Sequence, residues 1–237
     1  MMELPPLVSG RIEKRYKRFL ADVELEDGRQ VTAHCPNTGS MLGCWRPGAA
    51  VQLSHSDNPR RKLEWTLERV EMGGGWIGVH TGRTNPVIEE AVRAGLIDSL
   101  AGYARVERER VFEVPGEPRS RFDLFLAQGP RADAWVEVKN VTLLEGASLL
   151  FPDAVTERGR KHLRMLAEAC RRGYRGVMVY AINRPEGTVF SPAEQIDPNY
   201  AETLRRVVAE AGVELVAVRI AHGVQSMSVA ETVPIVL

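Results

Sequence analysis

The sequence predicts an α/β chain of α+β organisation in two units, a β-rich unit over 1–82 and a mixed-sheet α/β domain over 83–237. Three observations carry this. Short apolar runs at 23–25, 31–33 and 51–53 each lead into turn residues, Glu26-Asp27-Gly28, Pro36-Asn37-Thr38-Gly39 and Ser56-Asp57-Asn58-Pro59. Period-two pieces at this spacing read as an all-β sandwich or barrel. Beyond residue 83 the order becomes helix, three strands, helix, strand, helix, strand, which builds a mixed sheet with helices on its faces. Between the two, Gly73, Gly74 and Gly75 break the apolar pattern, and a short extended stretch at 76–79 places the boundary near Gly82.

Each element of the second unit has a local cause. Thr84 or Asn85 can cap a helix with Pro86 at its first position, and Val87, Ile88, Ala91, Val92 and Leu96 give it an apolar side running to about 101–102. Strands follow at 105–114, 119–127 and 134–141, joined by Pro115-Gly116 and Gly129-Pro130, so they are consecutive antiparallel neighbours. Thr156 can cap a helix that carries Leu163, Leu166, Ala167 and Cys170 on one face and stops at Gly173. A buried strand at 177–182, a loop, a helix over 199–211 and a strand over 213–220 complete the chain.

Composition excludes several classes. No apolar run approaches the ~18 residues of a membrane span, and the N-terminus lacks the plan of a signal peptide, so the expected place is the cytoplasm, with no membrane partner. Cys35, Cys44 and Cys170 are too few for a disulfide framework. The 31 basic and 31 acidic side chains cancel, so a nucleic-acid partner must be argued from local patches. Gly73, Gly75 and Gly78 match G-x-G-x-x-G, but no helix opens directly after them, which argues against a dinucleotide site. His34, Cys35 and Cys44 lack a second pair at zinc-like spacing and read as packed turn residues.

The chemistry is concentrated on two strands. If the segments holding Asp123 and Glu137 form a hairpin centred on Pro130, position i pairs with 260 minus i, and Asp123 stands opposite Glu137 with Lys139 on the same face. Opposed carboxylates repel, so a cation is needed between them. Mg²⁺ or Mn²⁺ is the natural cofactor, since hard cations take carboxylate, water and phosphate oxygens. A lysine beside such an ion suits phosphodiester hydrolysis. The alternative is an ordinary half-exposed strand, where Asp, Glu and Lys are commonplace.

Two stretches are basic. Residues 11–18 contribute Arg11, Lys14, Arg15, Lys17 and Arg18 with Tyr16 among them, and Arg60, Arg61 and Lys62 can extend the patch. Cations interleaved with aromatics suit a phosphate backbone with stacked bases; a solvated edge strand guarded by charge is the other reading. On the helix after the Glu-x-Lys strand, Lys161 and His162 are candidate nucleic-acid contacts near the metal, against the plainer reading of a solvated face.

Ser120-Arg121-Phe122-Asp123 with Glu137-Val138-Lys139 resembles the PD-(D/E)XK nuclease superfamily. More closely, Tyr16-Lys17-Arg18-Phe19-Leu20, His34-Cys35-Pro36-Asn37-Thr38-Gly39 and Phe151-Pro152-Asp153-Ala154-Val155-Thr156-Glu157-Arg158-Gly159 are similar to the sugar fermentation stimulation protein A family, across nearly the whole chain. The resemblance implies an N-terminal OB-fold-like β-barrel, a C-terminal PD-(D/E)XK nuclease-like domain, largely sequence-non-specific DNA binding and a regulatory role in sugar (maltose) metabolism. It assigns Asp123 and Glu137 to metal, Lys139 to catalysis, and Glu90 to the acidic position of the first core helix, where Glu89 competes. The chain departs from the superfamily's label by carrying Arg121-Phe122, not proline, before Asp123. A DNA-binding regulator without catalysis and a small-molecule-binding protein are the competing functions.

Overall fold

The computed structural model describes residues 1–116 and 119–237. The chain opens with the short strand β1 (Met2–Glu3) and then winds five strands: β2 (Leu7–Tyr16), β3 (Leu20–Leu25), β4 (Gln30–His34), β5 (Ala50–His55) and β6 (Trp65–Glu71). They lie in the order β4-β3-β2-β5-β6, and parallel pairing of Ala33 with Trp65 and His34 with Thr66 closes the ring. This is the OB-fold barrel. Closure removes the exposed edges, and Ile12, Val23, Val51, Leu53, Leu67 and Val70 fill the interior. Strand β7 (Trp76–Gly78) pairs with the far end of β6 and leads out of the barrel.

The second unit follows the predicted order with additions. Helix α1 (Thr84–Arg93) precedes β8 (Arg105–Phe112), β9 (Ser120–Ala127) and β10 (Ala134–Val141). A small sheet is then begun by β11 (Leu143–Glu145) and β12 (Ser148–Phe151), after which come α2 (Glu157–Arg171) and β13 (Arg175–Ile182). Strand β14 (Val189–Pro192), α3 (Pro198–Ala211), β15 (Glu214–His222) and β16 (Ser226–Thr232) end the chain. The main sheet runs β1-β16-β15-β13-β10-β9-β8, with β10, β13 and β15 parallel to one another. Helix α1 covers one face over Leu124, Leu126, Val136, Val177 and Val179, while α2 and α3 cover the other over Phe125, Trp135, Met178 and Tyr180.

Four expectations change. The first core helix stops at Arg93 because Gly95 takes a left-handed conformation, and Ile97 and Leu100, which continue the apolar spacing, belong to a separate 3₁₀ turn. The stretch after 182 is not only a loop, since β14 pairs in parallel with β12. The last predicted strand extends to His222 and is followed by β16, which also captures β1. The strand predicted over 105–114 ends at Phe112. Caps behave as predicted on α2, where Thr156 accepts from the Gly159 amide at 3.0 Å. Among the described residues no helix is long and apolar enough to cross a membrane.

Candidate active site and nucleic-acid surfaces

The hairpin register is 260 minus i: Ala134 pairs with Leu126, Trp135 with Phe125 and Val136 with Leu124. The ladder stops there, one residue short of Asp123 and Glu137. Phe122 and Phe125 both enter the core under α2, so the alternation of β9 slips between them and Asp123 sits at the slip. Its carboxylate takes over the missing ladder bond, with Oδ2 accepting from the Val138 amide at 2.7 Å. The other oxygen, Oδ1, accepts from Asn85 Nδ2 at 2.7 Å. Neither predicted cap of α1 is used as a cap. Asn85 holds Asp123, and the Thr84 hydroxyl donates to Asn140 Oδ1 at 3.0 Å.

Glu137 and Lys139 project from β10 towards α2. Lys139 Nζ lies 2.5 Å from Glu137 Oε1 and 3.2 Å from His162 Nδ1, and His162 also touches Glu137 Oε1. Glu137 and His162 are buried. Burial, reinforced by the charge of Glu137, pushes Asp123 up to about 6. For Glu137 burial acts in the same direction, but the bond to His162 and the charge of Lys139 outweigh it and hold the carboxyl below its ordinary range. Two neighbouring carboxylates thus have opposite tendencies, a pattern typical of functional sites.

A divalent ion fits this donor set. Glu137 Oε2 is buried with no hydrogen-bond partner, and an unsatisfied carboxylate oxygen is costly unless something charged meets it. Burial and the charge of Glu137 disfavour the ionised Asp123 beside it, and a cation would relieve that same penalty. Among the described residues no three His, Cys, Asp or Glu side chains converge as a complete ligand set. An Mg²⁺ or Mn²⁺ ion held by these two carboxylates would draw its remaining ligands from water and substrate oxygens.

Of the cluster, Lys139 reaches a groove of about 500 Å³ between the two units. Asn37, Thr38 and Gly39 of the barrel and Thr81 form one wall; Asp153, Thr156 and Arg158 form the other, with Lys139 between them. Asp153 Oδ2 accepts from the Ser40 amide at 2.9 Å and its hydroxyl at 3.1 Å, tying the walls together.

The remaining candidates separate. Glu90 is not part of the cluster: it pairs with the N-terminal amine of Met1, and Glu89 pairs with Arg93 and Arg108. The residue that α1 contributes is Asn85, which a search for acids passes over. His162 lies inside the acidic site and not on an outer face, whereas Lys161 donates to the Arg119 carbonyl at 2.9 Å. The basic stretch of β2 is not one free strip. Lys14 pairs with Asp22 at 3.1 Å and stands over Tyr16, whose hydroxyl donates to Asp22 at 3.1 Å. Arg11 donates to the Gly48 carbonyl at 2.9 Å. Arg15 donates to the carbonyls of Asn37 at 2.9 Å and Gly39 at 3.1 Å, so it braces the groove wall. Lys17 and Arg18 are exposed at the β2–β3 turn, Arg60 and Lys62 are exposed before β6, and Arg61 donates to Thr66 Oγ1 at 2.6 Å.

Two family descriptions match the chain: SfsA N-terminal OB domain over residues 14–79, and sugar fermentation stimulation protein RE domain over residues 82–226. A sugar fermentation stimulation protein homolog of Geobacter metallireducens is 51% identical over 237 residues, covering 100% of both chains. The homolog of Geobacter sulfurreducens is 50% identical over 235 residues, covering 99% of this chain and 98% of its own. Among solved structures, that of Pyrococcus furiosus SfsA in complex with Ca²⁺ superposes with a TM-score of 0.86 at 26% identity, covering 100% of this chain and 98% of the other.

Proposed function

The chain belongs to the sugar fermentation stimulation protein family, and from that premise we propose that it binds DNA without strong sequence preference and hydrolyses phosphodiesters at Asp123, Glu137 and Lys139. The observation that carries this reading is the buried, unpartnered oxygen of Glu137 beside a carboxyl raised to about 6. Asp123 and Glu137 would hold Mg²⁺ or Mn²⁺, which when bound neutralises charge on a phosphodiester and activates water. The relative from Pyrococcus furiosus was described in complex with Ca²⁺, a cation with the same preference for oxygen ligands.

The protein's own groups have distinct parts. Asn85 and the Val138 amide fix the orientation of Asp123. His162 and the Lys139 ammonium keep Glu137 ionised in a buried place. Lys139 also lines the groove, where its charge can meet phosphate oxygens as they become more negative. A sequence-tolerant surface needs cations that contact the backbone, and Lys17, Arg18, Arg60 and Lys62 supply them at exposed turns. A role in regulating sugar (maltose) metabolism is consistent with binding of this kind.

A second reading, DNA binding without cleavage, draws on the contacts that Lys139 and His162 make to Glu137 Oε1, because they neutralise Glu137 without an ion. One assay separates the two. Labelled single- and double-stranded DNA is incubated with wild type, Asp123→Ala and Lys139→Ala, with and without Mg²⁺ or Mn²⁺, and scored for retention and cutting. Metal-dependent cutting by wild type should fall ~10²-fold or more in both variants while retention persists and weakens with salt. Equal cutting by all three, or none by wild type, removes the catalytic claim. Retention that is absent or indifferent to salt removes the DNA claim and favours a small ligand.

A further inference from the structure

A second polar cavity, of about 410 Å³, lies behind the wall of the groove and is lined by His34, Arg61, Glu68, His80 and Arg83. Pro36 also lines this cavity, while its neighbours Asn37 and Thr38 line the groove. The turn after β7 divides the spaces in the same way: His80 and Arg83 face the cavity and Thr81 the groove, with the Thr81 hydroxyl bonded to the Pro36 carbonyl at 2.8 Å. The two spaces therefore share one wall, built from the stretch around Pro36 and the turn after β7.

The charge of the cavity is settled by its contacts. Glu68 is buried, but its oxygens are already engaged: Oε1 accepts from the Ser54 hydroxyl at 2.7 Å and Arg83 Nη2 at 2.7 Å, and Oε2 from Arg83 Nε at 3.1 Å. Glu68 thus fixes Arg83 in place and is neutralised by it. His55, at the rim, pairs with Asp57 at 3.1 Å. Arg61 remains as a cation held by one hydroxyl. His80 also lines the cavity, and its Nδ1 is buried with no hydrogen-bond partner. Two guanidiniums, one of them pinned, with imidazoles beside them form a recognition set for a tetrahedral oxyanion. A metal does not suit the cavity, because guanidiniums repel cations and no three ligands converge among the described residues.

We infer that this cavity is a phosphate subsite, in which Arg61 and Arg83 with His34 and His80 hold the phosphate of a nucleotide, either free or carried in a strand that continues from the Lys139 groove. The volume suits one nucleotide unit. The strand form rests on the nucleic-acid reading above; the free form does not.

The test uses the full chain in EDTA, where Asp123 and Glu137 have no metal and repel anions. Calorimetric titration is made with inorganic phosphate and with thymidine 5′-monophosphate, at matched ionic strength against chloride. Wild type should bind both saturably, Arg61→Ala should weaken binding about tenfold or more with an unchanged melting temperature, and Arg61→Lys should keep part of it. A single strand of about twelve nucleotides forms a second arm. A parallel loss of strand affinity in Arg61→Ala assigns the cavity to strand phosphate; unchanged strand affinity with lost mononucleotide binding assigns it to free nucleotides. No saturable phosphate binding by wild type, or equal binding by Arg61→Ala, overturns the inference. Phosphate binding that persists in a preparation with no metal-dependent cutting leaves it standing and removes only the nuclease reading.

Discussion

Asp123→Asn should make the metal-free protein more stable at neutral pH, and the gain should depend on pH in a defined way. Folding moves the Asp123 carboxyl from its ordinary 3.8 to about 6. Below 3.8 both the folded and unfolded chains carry the proton, so the residue costs nothing. Between 3.8 and 6 the folded chain holds a proton that the unfolded chain has lost, so stability falls as pH rises; above about 6 the loss is complete, at about 3 kcal/mol. An asparagine carries no such penalty. It can still accept from the Val138 amide, and re-pairing with Asn85 costs about 1 kcal/mol. The variant should therefore gain about 2 kcal/mol at about pH 8 and almost nothing at about pH 4.5, as read by urea unfolding in EDTA. Saturating Mg²⁺ should close the gap by stabilising the wild type alone. A gain that is the same at both pH values, or a destabilised variant at the higher pH, would refute burial and Glu137 as the origin of the raised carboxyl.

Two further substitutions test the framework around the site. Tyr180 and Tyr200 share a fully buried hydroxyl pair at 2.7 Å. Tyr180→Phe should cost about 1–3 kcal/mol by orphaning the Tyr200 hydroxyl, and adding Tyr200→Phe should recover most of it; a double variant that costs the sum of the single changes contradicts this account. Arg69, buried in the barrel wall, donates at 2.7 Å to Gln52 and to the carbonyls of Gly223 and Val224, and faces the Trp76 ring at 4.8 Å. Arg69→Met should cost about 2–3 kcal/mol and expose the β15–β16 turn to hydrogen exchange; unchanged exchange there means the arginine does not hold the two units together.

Much of the scaffold was legible because its signals are local. The Gly129-Pro130 turn and the apolar alternation on either side fix the hairpin register, and Thr156 fixes the start of α2. The places that escaped have physical reasons. Ile97 and Leu100 continue the spacing of α1, and only the backbone of Gly95 reveals that the helix has ended. Strand β1 has two residues and pairs with β16 at the other end of the chain, so no periodicity announces either. Charge counting marked residues 11–18 as a free strip because it cannot see that Asp22 and three backbone carbonyls consume Lys14 and Arg15. His162 was expected near the metal as a nucleic-acid contact, and its buried contact with Glu137 was within reach. Leu163 and Leu166 define the buried stripe of α2, and a histidine on that stripe must meet a polar partner inside, which here is Glu137.

The two long motifs, His34 to Gly39 and Phe151 to Gly159, hold none of the acidic cluster, yet they are the most distinctive stretches in the chain. Their contacts explain why. Gly39 approaches Asp153 so closely that a Cβ there would stand 2.6 Å from Asp153 Oδ2, so a side chain would displace that carboxylate from its bonds to Ser40. Asp153 in turn binds Ser40, and Arg15 clamps the carbonyls on the other side of the same turn. On the opposite flank, Asn140, the residue after Lys139, accepts from Thr84 and from Asn183 Nδ2 at 2.5 Å, while the Asn183 carbonyl accepts from the Gly78 amide at 2.8 Å. The barrel therefore holds the groove from two sides, through Asp153 and through Asn183, and the strand that carries Glu137 and Lys139 is braced against it. The motifs specify the meeting of two units, and that meeting gives Lys139, next to the buried acids, a walled opening.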